Sequence, residues 1–296
     1  MKKKLPQSPK RKGVLSSNPP VPEQTVLPTF ERFLNPKHGL VGLEPVLELV
    51  KTLLWTGQVA GERPASAIIC APIGSGKTSV LEKIECETAR FLSDFTTLHG
   101  KDVIRDEKLT HIMIGDLLSV LNHKSGTVKN SINLLSKMTG DRVMTDPWTG
   151  DKITPRRLGV ITAIPPEELY SKRLKSVLWG GGFASRFIIV KYTYTKATIK
   201  RIHDFIKSDA YTAMAPIHLD VERAQIQVKI PELLSEKIRI LSQSIKNDEI
   251  GARAHHHLRA LVKARARMRQ TIIADDSDFD AIERIADFFT LDGRTI

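Results

Sequence analysis

The chain has 296 residues, 41% of them hydrophobic and 26% charged, with a formal net charge of +12. That composition predicts a soluble globular protein with room for one large core or two modest ones, and no apolar run is long enough to cross a bilayer. Met1-Lys2-Lys3-Lys4 leads into Pro, Gln and Ser instead of an apolar stretch, which excludes a secretory signal and, with only Cys70 and Cys86 present, predicts a cytoplasmic protein with reduced thiols.

The excess charge is clustered and points to a polyanionic partner. Residues 1–22 carry Lys2, Lys3, Lys4, Lys10, Arg11 and Lys12 without an acidic residue, among Pro and Ser, and predict a disordered basic arm over 1–27. An extended linker with a short helical piece follows over 28–36. His38 to Glu44 is a turn that opens a helix over Pro45–Trp55, with Val46, Leu47, Leu49, Val50, Leu53 and Leu54 at helical spacing. A buried strand over Ala67–Cys70, the loop Ala71-Pro72-Ile73-Gly74-Ser75-Gly76-Lys77-Thr78 and a helix over Ser79–Leu92 come next.

Further strands are predicted over Phe95–Leu98, Thr110–Gly115, Leu158–Ile164 and Phe187–Tyr194, with a helix over Lys129–Met138. Two β-compatible arms around the Pro/Gly turn of residues 142–153 predict a hairpin. Strands alternating with helices indicate a parallel sheet covered by helices on both faces. From about Thr198 the pattern turns helical, over Ala197–Lys207, Pro231–Ser244, Ala252–Met268 and Asp278–Phe289, with an extended segment around Ile226–Ile230. The expected division is therefore an α/β domain over 28–205 and an all-helical lid over 206–296. No internal repeat is visible.

The loop after the first strand has P-loop spacing, with Ala71 at the first glycine position. Small residues let successive backbone N–H groups curl around a polyphosphate at the start of a helix. The expected contacts are Gly74, Ser75, Gly76 and Ser79 around the phosphates, Lys77 on the β and γ phosphates, and the Thr78 hydroxyl on Mg²⁺. Asp116 closes an apolar strand 39 residues after Lys77 and is the candidate Walker B carboxylate for the same ion. Leu117 follows where many such ATPases have a glutamate that polarises water; Glu167 and Glu168 are substitutes or merely solvated.

With these motifs the chain resembles the AAA+ ATPases, in the branch of the minichromosome maintenance (MCM) helicases and MoxR-type proteins. Gly39-Leu40-Val41-Gly42-Leu43-Glu44 is similar to the segment that packs on adenine, which assigns Val41 and Gly42 to the nucleotide. Gly159–Ile164 stands at the place of the sensor 1 strand, so the resemblance implies Thr162 for that role. Ala184-Ser185-Arg186-Phe187 is similar to the MCM segment whose arginine is a finger on the neighbouring subunit's ATP. Three glycines before it, Gly180 to Gly182, predict a mobile, approachable loop. Gly251-Ala252-Arg253-Ala254 looks like the start of the lid helix carrying sensor 2, at Arg253. The hairpin stands where this branch inserts one toward the pore, and Trp148 and Lys152 near its tip either contact DNA or belong to a plain surface turn. His255 to His257 point in different directions and read as lid surface and packing. Arg259, Lys263 and Arg267 form one basic stripe, read as a solvated face or a nucleic-acid contact.

The resemblance covers about residues 36–290. It implies ATP and Mg²⁺ as cofactors, a homo-oligomeric ring or partial ring with a hexamer as its full form, DNA as partner, and a partner protein for loading or targeting. Three readings follow: a DNA motor (helicase, loader or remodeller in replication or recombination), a MoxR-type chaperone, or a nucleotide-gated scaffold with little turnover.

Overall fold

Residues 67–70, Ala-Ile-Ile-Cys, have no polar side chain and no alternation, so a strand built from them must be covered on both faces. In the computed structural model they form β1 (Ala67–Cys70), buried throughout, at the middle of a six-stranded sheet. The structure describes residues 40, 42–140, 143–145, 149–150, 152–208, 216–245, 251–286 and 288–290; the expected basic arm lies outside them.

α1 (Glu44–Thr56) precedes β1, and α2 (Lys77–Glu82), β2 (Ile84–Glu85), β3 (Ala89–Leu92), α3 (Thr97–Arg105) and β4 (His111–Ile114) follow it. Then come α4 (Leu117–Leu121), α5 (Ser125–Gly140), the hairpin β5 (Val143–Thr145) and β6 (Lys152–Arg156), and β7 (Gly159–Ile164). Two short helices, α6 (Pro166–Leu169) and α7 (Lys172–Lys175), lead through a π-helical turn over Ser176–Gly180 to β8 (Ile188–Lys191). The remainder is α8 (Lys196–Lys207), β9 (Ile217–His218), α9 (Glu232–Ser244), α10 (Gly251–Met268), α11 (Asp276–Ala286) and β10 (Phe289–Thr290).

Strand order is β10-β8-β1-β7-β4-β3; the last five are mutually parallel and β10 pairs antiparallel with β8. Ile68, Ile112, Ile114, Val160 and Ile189 pack on one face against α3, α4, α5 and the segment before β8. Ile69, Met113, Ile161, Ile188 and Val190 pack on the other against α1, α2, α9, α10 and α11. The fold is thus α/β, a parallel sheet flanked by helices with a C-terminal helical region. That region shares an apolar cluster with α1 and the sheet, and Arg265 on α10 pairs with Glu48 on α1. No helix among the described residues is long and apolar enough to cross a membrane.

Several expected elements take another form. The helix expected over Ser79–Leu92 stops at Glu82, because Ile84–Glu85 pairs in parallel with Ile217–His218, and Ala89–Leu92 pairs with β4. The strand expected over Phe95–Leu98 is instead a buried Phe95 followed by α3, whose start is closed by the Thr96 N–H donating to His99 Nδ1 at 3.3 Å. The last helix ends at Ala286, and Phe289–Thr290 is the edge strand. The basic stripe is neither a solvated face nor a free contact surface. Arg259 and Lys263 both donate to Glu62, Arg267 donates to Glu222, and Lys263 and Arg267 are buried.

Candidate functional site

In a parallel sheet every strand ends at the same edge, and ligands sit where consecutive connections run in opposite directions. Here the chain goes from β1 outward to β3, returns through β4 to β7, then crosses β1 to reach β8. That switch point is the carboxyl end of β1, where the Ala71–Thr78 loop leaves the sheet. Gly74 and Gly76 have φ of 77° and 76°, a conformation in which a side chain would be strained. The Ser75 carbonyl between them accepts from the Tyr192 hydroxyl at 3.0 Å and the Tyr194 hydroxyl at 2.8 Å, so the end of β8 braces the loop. Ser75 and Lys77 are buried, whereas Ile73 is exposed. The Lys77 ammonium has one acceptor among the described residues, the Pro72 carbonyl at 3.1 Å. Burial lowers its pKa, opposed by the charges of Asp116, Cys70 and Glu167.

Thr78 Oγ1 donates to the Gly115 carbonyl at 3.0 Å, which ties the start of α2 to the end of β4. Asp116 caps α4, its Oδ1 accepting from the Leu118 N–H at 2.9 Å. Thr162 lies on β7, between β1 and β4, level with Ile68 and Ile114. It is fully buried, and its hydroxyl has no hydrogen-bond partner among the described residues. Ser79 is half-buried on α2. Gly42, with φ of 77°, is buried beside Leu43, whose Cδ1 lies 2.8 Å from where a Cβ on Gly76 would stand; the turn before α1 therefore abuts the loop. Val41 lies outside the described residues. Leu117 is fully buried in the core, Glu167 is exposed within electrostatic reach of Lys77, and Glu168 pairs with Arg173 at 3.3 Å.

The structure thus brings Gly74, Ser75, Gly76, Lys77, Thr78 and Asp116 to one edge, with Thr162 two residues inside the end of β7. The donor set suits a small hard cation: the Thr78 hydroxyl and the second Asp116 oxygen are oxygen ligands, as Mg²⁺ prefers. Sequence reasoning missed Lys191, buried at the end of β8 beside Cys70, with its ammonium 4.6 Å from the Tyr170 ring centre. It also missed the two tyrosines. The run Lys191-Tyr192-Thr193-Tyr194, a cation and two hydroxyls at a strand's carboxyl end, is the signal that could have found them. Cys70 is a buried thiol whose pKa burial pushes up to about 12, so it is inert at neutral pH.

Arg186 and Arg253 are not at this edge. Both line a cavity of about 490 Å³ at the amino-terminal edge of the sheet, walled by Arg63 and Ser66 before β1, Gly140 at the end of α5, and Arg157 before β7. Arg253 Nη1 donates to Ser185 Oγ, and Arg186 Nη1 to the Gly182 carbonyl. Before Arg186, Gly180 and Gly181 are exposed and Gly182 takes a left-handed step, while Phe183, Ala184 and Phe187 are buried. His257, half-buried in the cavity wall, is hydrogen-bonded to the Arg186 backbone. Burial, with the charges of His256, Arg253 and Arg63, lowers its pKa to about 4.

The hairpin forms as expected, β5 antiparallel to β6. Arg156 at its base donates to the Asp106 carbonyl at 2.6 Å and to the Leu109 carbonyl. Lys152 is exposed on β6, and Trp148 lies outside the described residues. No protein-family model matches the chain, and no curated protein matches it.

Proposed function

We propose that the chain is an ATP-binding P-loop protein of the AAA+ kind, holding ATP and Mg²⁺ at the carboxyl edge of the sheet. The observation that carries this is the loop itself. Two left-handed glycines frame Ser75, a buried Lys77 with one acceptor among the described residues follows them, and Thr78 and Asp116 stand at the same edge. Lys77 offers its remaining donors to the β and γ phosphates, and Thr78 and Asp116 hold the cation that neutralises phosphate charge. Thr162, buried on β7 beside the strand that leads to Asp116, is read by resemblance as the sensor 1 donor to a γ-phosphate or an attacking water.

In this reading hydrolysis takes place between subunits of a ring or partial ring. Arg186 sits at the end of the sheet away from its own loop, which supports a finger offered to a neighbour's ATP; guanidinium suits the task because it stays charged and its planar donors match phosphate oxygens. Arg253 shares that edge, so its role as sensor 2 is also read as acting across the boundary. DNA is the proposed partner, on the strength of the net charge of +12 and the hairpin. With Leu117 unable to polarise water, turnover is slow or depends on Glu167.

Titration of a fluorescent ATP analogue tests the site. Wild type should saturate and Lys77→Ala should lose binding by about a hundredfold, the ammonium being the main side-chain contact to the phosphates. Equal affinity in the two would refute the site. The ATPase rate with and without single-stranded DNA then separates a DNA motor from a chaperone that ignores DNA.

A further inference from the structure

The cavity at the amino-terminal edge carries more positive charge than one finger needs. Arg63 precedes β1, Arg186 precedes β8 and Arg253 sits in the first turn of α10, so three separate pieces of chain deliver guanidinium groups to one concavity of about 490 Å³. None of the three has a carboxylate partner among the described residues; Arg186 and Arg253 donate only to neutral oxygens. The one acid on the wall, Glu62, is already held by Arg259 and Lys263. The floor is bare where it meets the charge: a Cβ on Gly140 would fall 2.7 Å from Arg186 Nε. Like charges held together without a counter-ion repel, and an anion bridging them removes that cost. Arg253 registers the strain, its pKa lowered first by burial and then by Arg186 and Arg63.

We propose that Arg63, Arg186 and Arg253 form an oligophosphate-binding pocket that is complete within one chain and separate from the P-loop. Three guanidinium groups converging from different sides match several phosphoryl groups in a row better than a lone carboxylate or monophosphate. A cavity of this size takes a small ligand, so the phosphate chain is either free or carried on a nucleotide. The pocket and the proposed nucleotide loop stand at opposite ends of β1, so this proposal and ATP binding at Lys77 succeed or fail independently, whereas an oligophosphate held here competes with the roles proposed for Arg186 and Arg253 on a neighbour's ATP.

The test uses the full chain carrying Lys77→Ala, which silences the P-loop. Calorimetric titration with inorganic tripolyphosphate should give saturable binding, one per chain, weakened at least about tenfold by Arg63→Ala and likewise by Arg253→Ala, since each removes charge-assisted hydrogen bonds. Arg63 is exposed, so its variant keeps the core, and thermal melting verifies that it is folded. Absence of saturable binding in the Lys77→Ala chain, or undiminished binding when Arg63 is removed, overturns the proposal. Competition by ATP identifies the source. Displacement with tripolyphosphate's own strength means that the phosphate chain alone is read; ATP binding at least about tenfold tighter means that a nucleotide supplies it.

Discussion

At the scale of single residues, two buried polar side chains, Thr162 and His111, differ in how the fold satisfies them. Thr162 is fully buried, and its hydroxyl has no partner among the described residues. A buried hydroxyl without a hydrogen bond costs about 1–3 kcal/mol, so Thr162→Val, which keeps the shape and deletes the oxygen, should stabilise the ligand-free chain by about 1 kcal/mol while lowering ATP turnover. Urea unfolding and a steady-state ATPase assay on the same variant check both halves, and destabilisation would mean that the hydroxyl has a structural partner. His111 is the opposite case, a ring with partners at both nitrogens that burial keeps neutral. It is fully buried, with Thr110 Oγ1 3.1 Å from Nδ1 and the Ala65 carbonyl 3.3 Å from Nε2, and burial lowers its pKa from 6.5 to about 4. A folded pKa below the unfolded one means that the unfolded chain takes up the proton first. The stability is therefore whole above the unfolded value and falls as pH drops from there toward the folded one. By about pH 5 the loss from His111 should reach roughly 2 kcal/mol, and His111→Gln should flatten that part of the pH profile. An identical slope in the variant would assign the acid sensitivity to other groups.

At the scale of elements, α10 is held to the body by ion pairs. Glu62 lies just before β1, its carboxylate 2.6 Å from Lys263 Nζ and 2.9 Å from Arg259 Nε. Lys263 and Glu62 are both nearly inaccessible, so Glu62→Ala strands a buried ammonium and should destabilise the fold by roughly 3 kcal/mol without altering DNA affinity. A loss of DNA binding at unchanged stability would return the stripe to the nucleic-acid reading. The same stripe shows where sequence stops being legible. Its four-residue spacing is a property of the helix, but whether the face meets water depends on Glu62 and Glu222, which lie far away along the chain. β1, an unbroken apolar run, and β7, apolar but for Thr162, stand where their residues predict, because burial on both faces leaves no other use for such a run. β3 does not: Ala89-Arg90-Phe91-Leu92 is half-buried, has no alternation, and becomes a strand only through pairing with β4. Val80, Leu81 and Ile84 have helical spacing, yet Ile84 goes to a pair with Ile217, a contact no local window contains. The left-handed turns of the Ala71–Thr78 loop were legible because Gly74 and Gly76 encode a backbone conformation directly. Tyr192 and Tyr194 were not, because bracing a loop from the next strand depends on strand order.

At the scale of the whole molecule, the sheet has two differently charged ends. The carboxyl edge gathers Lys77, Thr78 and Asp116; the amino edge gathers Arg63, Arg186 and Arg253. β1 alone, four residues long, puts roughly 13 Å of strand between them, and β8 runs parallel to it. Arg186 therefore cannot reach the loop of its own chain without dismantling the core around Phe183 and Phe187, but a second copy could present its loop to that edge. Repeated head to tail, such a contact generates a ring or a helix. The central claim is that the two edges of different copies make one ATPase site. Mixing Lys77→Ala chains with Arg186→Ala chains measures it directly. Each variant alone should be nearly inactive, Arg186→Ala should still bind the ATP analogue, and the mixture should recover a fraction of the wild-type ATPase rate, because an intact P-loop then meets an intact arginine. A mixture as inactive as its components, or Arg186→Ala chains that hydrolyse ATP like wild type, would contradict the account.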